Sequence, residues 1–297
     1  MKKQSAFLSA ALMVLTIALT AFFMAGCGNG DDDDSSGSGT LPDITAPRIG
    51  DLPAFPTDAN PAETEAAADS ILTELKQSYL IVNVYDRVLE VIRDSRSGNN
   101  YNLKDLEDDE KTVKISASKK ITAKESEGFK KIEDYDYDYD TLLNTNDYIR
   151  YSIESKIKGK VTTAITSENV IIVAGSTIEE QMSGSQNISV TTGGTIKEAK
   201  GKENTFLKFQ QISGFTVTTP LGSVKIILDL TSTQSLSISN ISIFDIFHTE
   251  FNMDYSGSLK VYGKDNVLLK TVPVTDKATY QQAQRLIGFR DDEYDDK

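Results

Sequence analysis

The chain of 297 residues has no tryptophan, one cysteine and one histidine. A lone Cys27 excludes an intrachain disulfide, and with a lone His248 it excludes a thiol–imidazole metal cluster. Any mechanism that needs an imidazole must use His248. By strand parity this residue shares the more polar face with Ser242, Phe244, Glu250 and Asn252, as a surface histidine would. No Gly-x-Ser-x-Gly elbow, P-loop, dinucleotide fingerprint or His-Glu-x-x-His motif is present. The lack of tryptophan removes the usual platform for stacking sugars. Cations are also scarce, with 31 Lys+Arg against 44 Asp+Glu and a net charge of −13. A field of that sign repels nucleic acid and favours cationic ligands, divalent metals or basic partners. These absences point to a protein that is not an enzyme and does not bind nucleic acid.

What the chain does contain begins with an address. Lys2 and Lys3 precede an apolar run from Ala6 to Phe23, and Met24-Ala25-Gly26-Cys27 closes it. An uncleaved membrane anchor needs about 20 apolar residues, a length this run nearly supplies. The small residues before the single cysteine argue instead for cleavage there. The segment resembles the lipobox of bacterial lipoproteins, although Met24 stands where leucine is more usual. That resemblance covers residues 1–27 only. It implies a signal peptide over 1–26, lipidation of Cys27 and a lipid-anchored place in a bacterial cell envelope. With Gly28 rather than Asp after the cysteine, it implies the outer membrane in a host that has two.

Residues 27–59 read as a flexible acidic tether, GNGDDDDSSGSGT followed by a Pro-rich stretch without apolar periodicity. A flexible stretch of about 30 residues spans roughly 30 Å. Asp31 to Asp34 read as a solvated, self-repelling spacer. Asn60-Pro61-Ala62-Glu63 then has the form of a helix start, with Asn60 as N-cap and Pro61 in the first turn. Ala68, Ile71, Leu75, Val82, Tyr85, Leu89 and Ile92 recur at helical spacing, which predicts a long amphipathic helix over 60–97. The β-branched stretch from Tyr79 to Tyr85 is a place for a kink. A face this apolar must lie on a sheet or on a partner helix.

From Thr112 the period changes to two. Ile149, Tyr151, Ile153, Ile157 and Val161 fall on one parity, and Val224, Ile226, Leu228 and Leu230 repeat the pattern. The phase slips near Asn240, as a bulge or a break between strands would produce. Turn signals come at Gly193-Gly194, Ser213-Gly214, Thr219–Gly222 and Gly263–Asn266, the last predicting a hairpin. About ten to thirteen strands without interposed helices define an α+β protein that is mainly antiparallel β. The expected domain runs over 98–290 as a large curved sheet, half-barrel or sandwich, which must curl, close or split at that size. Asp276 starts a short terminal helix, and 291–297 form an acidic tail.

One segment is unusual enough to be a site. In Glu133 to Asp140, aspartate alternates with tyrosine, and Asp136, Asp138 and Asp140 stand at positions 1, 3 and 5 of a calcium-loop spacing. Asp147 stands at position 12. This resembles an EF-hand loop, but Thr141 replaces the sixth-position glycine and the closing acid is not glutamate. A calcium site, a solvated acidic strand or loop, and a docking patch for a basic partner all fit these residues. The acidic run from Asp105 to Glu110 reads as a polar connection between helix and sheet. No other cofactor is indicated. A sheet that is apolar on one face, under an amphipathic helix, resembles in outline the half-barrel lipoproteins that carry lipids. The expected function is therefore non-catalytic binding of an apolar ligand or lipid on a curved sheet. The alternative is a structural or adhesive surface lipoprotein that contacts other envelope proteins, with calcium as a stabiliser.

Overall fold

A computed structural model of the protein describes residues 44–94, 96–97, 100–101, 106–108, 110–125, 147–192, 199–241 and 252–289. The elements in chain order are α1 (Glu65–Ser78), α2 (Leu80–Asp94), β1 (Arg96–Ser97), β2 (Asn100–Tyr101), β3 (Leu106–Glu107), β4 (Val113–Glu125), β5 (Asp147–Val161), β6 (Ile165–Ser167), β7 (Val170–Ile172), β8 (Thr177–Thr192), β9 (Ala199–Thr219), β10 (Gly222–Ile241), β11 (Asn252–Tyr262), β12 (Leu268–Val274) and α3 (Lys277–Leu286). Ten of the strands form one large open sheet in the order β12-β11-β10-β9-β8-β5-β4-β3, with the β6–β7 hairpin beside the end of β9. Every pairing between its named strands is antiparallel. The chain is thus mostly antiparallel β-sheet with few helices.

The period-two reading meets the sheet directly. Val224, Ile226, Leu228 and Leu230 are all completely buried on the face that carries the helices. The phase slip near Asn240 is a register shift between Ser239 and Ile241. The predicted hairpin at Gly263–Asn266 joins β11 to β12 through a 3-10 turn, with Asp265 at φ 53°. Asp276 caps α3 by accepting from Thr279 N at 2.8 Å, while Thr279 Oγ1 accepts from Asp276 N at 3.1 Å. This reciprocal pair satisfies two orphan donors of the first turn.

The helix expected over 60–97 is two, and the break falls at Tyr79, in the stretch read as a place for a kink. Asn60 and Pro61 do not start it, because their backbone is used by the sheet. Ala62 N donates to Ser223 O at 2.9 Å, Ser223 N donates to Asn60 O at 3.1 Å, and Pro61 bridges Ser223 in parallel. Helix α1 starts five residues later, where Thr64 Oγ1 accepts from Ala67 N at 3.2 Å. It ends at Tyr79, which takes a left-handed conformation with φ 52°. Ser78 Oγ donates to Leu75 O at 2.7 Å and accepts from Leu80 N at 3.2 Å, which holds the break. The break lets Leu72 and Leu75 on one side, and Ile81 and Val84 on the other, all lie buried in one core.

A second correction concerns the expected tether. Its described part, residues 44–59, packs on the opposite face of the sheet. Leu52 is 4% exposed, and Thr216 Oγ1 donates to Pro53 O at 2.8 Å. Lys225 Nζ lies 5.6 Å from the centroid of the Phe55 ring and donates to Asn266 Oδ1 at 3.1 Å. Proline-rich extended chain has neither helical nor strand periodicity, so its apolar residues left no pattern to read. The same strap explains Ser213-Gly214, expected as a turn but lying inside β9. A Cβ at Gly214 would sit 2.3 Å from Leu52 Cδ2 and 2.9 Å from Pro47 Cγ. The glycine leaves room for the strap to cross.

The acidic run before β4 has a defined task. Asp108 accepts from Thr112 N at 2.6 Å, Val113 N at 2.8 Å and Arg87 Nη1 at 3.2 Å. Burial pushes its carboxyl up, but these hydrogen bonds outweigh burial and hold it below the usual carboxylate range. Arg87 also meets Glu110 at 2.6 Å, so this connection ties α2 to the start of β4.

Candidate functional site

Among the described residues, the helices pack on one end of the sheet. There the interior is filled by side chains. Ile71, Leu75, Ile81 and Val84 from the helices, and Phe215, Ile226 and Leu228 from the sheet, have no exposed surface. Packing of this density leaves no space for a ligand between helix and sheet.

Beneath α2 the apolar filling is interrupted by a polar cluster. The Tyr85 hydroxyl shares a short hydrogen bond with Ser213 Oγ. Gln211, two residues along β9, is 2% exposed, and its Oε1 has no hydrogen-bond partner. Glu180 of β8 stands directly across the strand pair from Gln211. The Tyr85 ring also packs edge-on against Phe289, with centroids 4.8 Å apart. Burial, and then the neighbouring Glu180 carboxylate, push the Tyr85 phenol far above its ordinary range, and hydrogen bonds from Ser213 and Gln211 offset this only in part. Tyr85 is therefore neutral at any physiological pH, with its hydroxyl held by Ser213.

Glu180 is the titrating member. Burial pushes its carboxyl up to about 7. The folded protein then takes up a proton that the unfolded chain, with an ordinary glutamate, releases near pH 4.5. The group is at its most stabilising below that value. Stability falls as pH rises toward 7 and levels off above it. Glu180→Gln removes this dependence, so the variant is expected to be more stable than the parent at pH 8, with near-equal stability at pH 5. Glu180 keeps part of its surface in water, so the gain is expected to be about 1–2 kcal/mol rather than the full shift. Urea unfolding at the two pH values measures it.

Cys27, Asp136, Asp138, Asp140 and His248 lie outside the described residues. Asp147 opens β5 opposite Val190. Among the described residues, no group of three or more His, Cys, Asp or Glu is placed to hold a metal ion, and no helix is long and apolar enough to cross a membrane. Sequence reasoning missed the cluster of Tyr85, Glu180, Gln211 and Ser213. Its signal was present: Glu180 follows Ile178, and Gln211 and Ser213 precede Phe215 and Val217, at positions where parity demands apolar residues.

Past the cluster the sheet continues. Strand β9 has 21 residues and β10 has 20, so β9 spans about 70 Å at roughly 3.3 Å per residue. In the register, Ile121 pairs with Ile153, Ile153 with Gly184 and Gly184 with Leu207. Ile149, Ile188 and Ile238 share a later row, together with Glu203. Comparison with protein-family models, with curated proteins and with solved structures found no match.

Proposed function

We propose that this chain is a non-catalytic, lipid-anchored protein of the bacterial envelope that holds an apolar ligand, such as a lipid, on its β-sheet. The ligand lies on the helix-side face beyond the ends of α2 and α3, where the filled core stops. The register rows carry the reading: the positions that are packed core under the helices continue as Ile121, Ile153 and Leu207 and then as Ile149, Ile188 and Ile238. Apolar residues that recur at this parity beyond the core, among polar ones such as Gln186, Thr205 and Glu203, support a strip that takes the apolar part of an amphipathic ligand. The Glu180–Gln211 pair borders that face and supplies the polar edge that orients an amphipathic ligand. Cys27, lipidated after removal of residues 1–26, provides the anchor, and the outer membrane is its place in a host with two membranes.

The test is mass spectrometry of the full protein, extracted from membranes in mild detergent. An acyl-chain ligand is expected to copurify in near-equal amount, and Leu207→Asp is expected to lose it while keeping the folded core. A protein that never retains or takes up such a ligand contradicts the reading.

A further inference from the structure

The polar cluster beneath α2 holds one buried atom that no fixed donor reaches. Gln211 is 2% exposed, and its Oε1 has no hydrogen-bond partner. The nitrogen of the same amide is engaged, because the hydrogen bond from Gln211 favours the Tyr85 phenolate, as a donor's does. Tyr85 in turn shares its hydroxyl with Ser213. Glu180 stands directly across from Gln211 on the same face of the sheet, where the Cβ atoms of such a pair are about 5 Å apart. A carboxylate can only accept and would repel Oε1, whereas a carboxylic acid has one O–H to give. The titratable groups that face Glu180 are Tyr85 from α2 and, beyond it, Tyr280 from α3. In its own row β4 and β5 present Ala117 and Ile157, and Lys119 holds a register position one row further along. Arg87 of α2 is taken by Asp108 and Glu110. Burial raises the Glu180 carboxyl to about 7, so its hydrogen is present in the fold at and below neutrality.

We propose that Glu180 and Gln211 form a proton-gated latch under α2. The carboxylic acid of Glu180 donates to Gln211 Oε1 and completes the cluster. The carboxylate turns to the water that Glu180 still meets at its exposed edge, and it leaves Oε1 without a donor. A buried acceptor without a partner is costly, and opening α2 to water relieves it. Gln211 carries the signal to the helix, since its amide nitrogen holds Tyr85 while its oxygen holds the proton of Glu180. The latch is a property of the fold and depends on neither the anchor nor the ligand proposed above.

The experiment follows the full chain at pH 6 and pH 8 by infrared spectroscopy and by hydrogen exchange with peptide mass spectrometry. A protonated-carboxyl band is expected at pH 6 in the parent, lost by pH 8 and missing from Glu180→Gln. After correction for the intrinsic rate at each pH, the amides of α2 are expected to open about tenfold more often at pH 8 than at pH 6, with α1 unchanged. Glu180→Gln supplies a permanent N–H in place of the carboxyl hydrogen, so its α2 should stay equally protected at both pH values. Gln211→Leu should keep the carboxyl band but lose the difference in α2. A parent without the band at pH 6, or with α2 equally protected at both pH values, overturns the latch. A pH difference in α2 that survives Gln211→Leu overturns it as well, since the buried charge alone then opens the helix. Glu180→Gln decides the matter even where Gln211→Leu fails to fold: a pH difference that persists in Glu180→Gln contradicts the proposal.

Discussion

Gly263→Ala is expected to destabilise the fold by about 3 kcal/mol or more, among the largest effects of any single methyl group in this chain. A Cβ at Gly263 would lie 1.9 Å from Ala62 O and 2.6 Å from Leu269 Cδ1. The first obstacle is backbone, held by Lys264 N donating to the same oxygen at 2.9 Å and by Ala62 N donating to Ser223 O. Neither can move without opening the join between the N-terminal segment and the β11–β12 hairpin. Gly50→Ala is the control, since a Cβ there meets nothing within 4 Å. In urea unfolding the first variant should lose much of its midpoint and the second should stay within about 0.5 kcal/mol of the parent. Similar behaviour of the two would mean that the N-terminal segment is not seated on the sheet as described.

Phe215→Ala is expected to cost about 3–5 kcal/mol, because it removes the largest fully buried side chain of the core. Phe215 lies in the row between Ile226 of β10 and the β8 side of the sheet, beneath the helices. A hollow interior would collapse around the smaller residue or admit a ligand in its place, and the loss would be near 1 kcal/mol. A filled interior retains a cavity and the full cost. Thermal unfolding of the two proteins distinguishes these outcomes, and a small loss would move the proposed ligand site under the helices.

These tests separate what periodicity reveals from what it hides. Strands β5 and β10 and the capped helix α3 were legible, because each repeats an apolar spacing or a capping pair over its own length. The strap over residues 44–59 was not, because extended proline-rich chain lays down Leu52 and Phe55 with no fixed spacing. Asn60-Pro61 carries a sound helix-start signal, but the sheet claims the same backbone first. At Gly214 the residue type was read as a turn, whereas what it provides is the absence of a side chain under Leu52. The polar cluster was hidden for a related reason. Glu180 and Gln211 look like surface residues until the strand pairing sets them side by side on the buried parity.

A fatty acid carrying a photoreactive diazirine, crosslinked to the full protein and mapped by peptide mass spectrometry, tests the proposed ligand site most directly. Adducts are predicted on the stretches 147–155, 184–192, 203–209 and 236–241, with α1 and α2 unlabelled. Adducts confined to the helices, or labelling no greater than that of the acidic stretch 291–297, would contradict it.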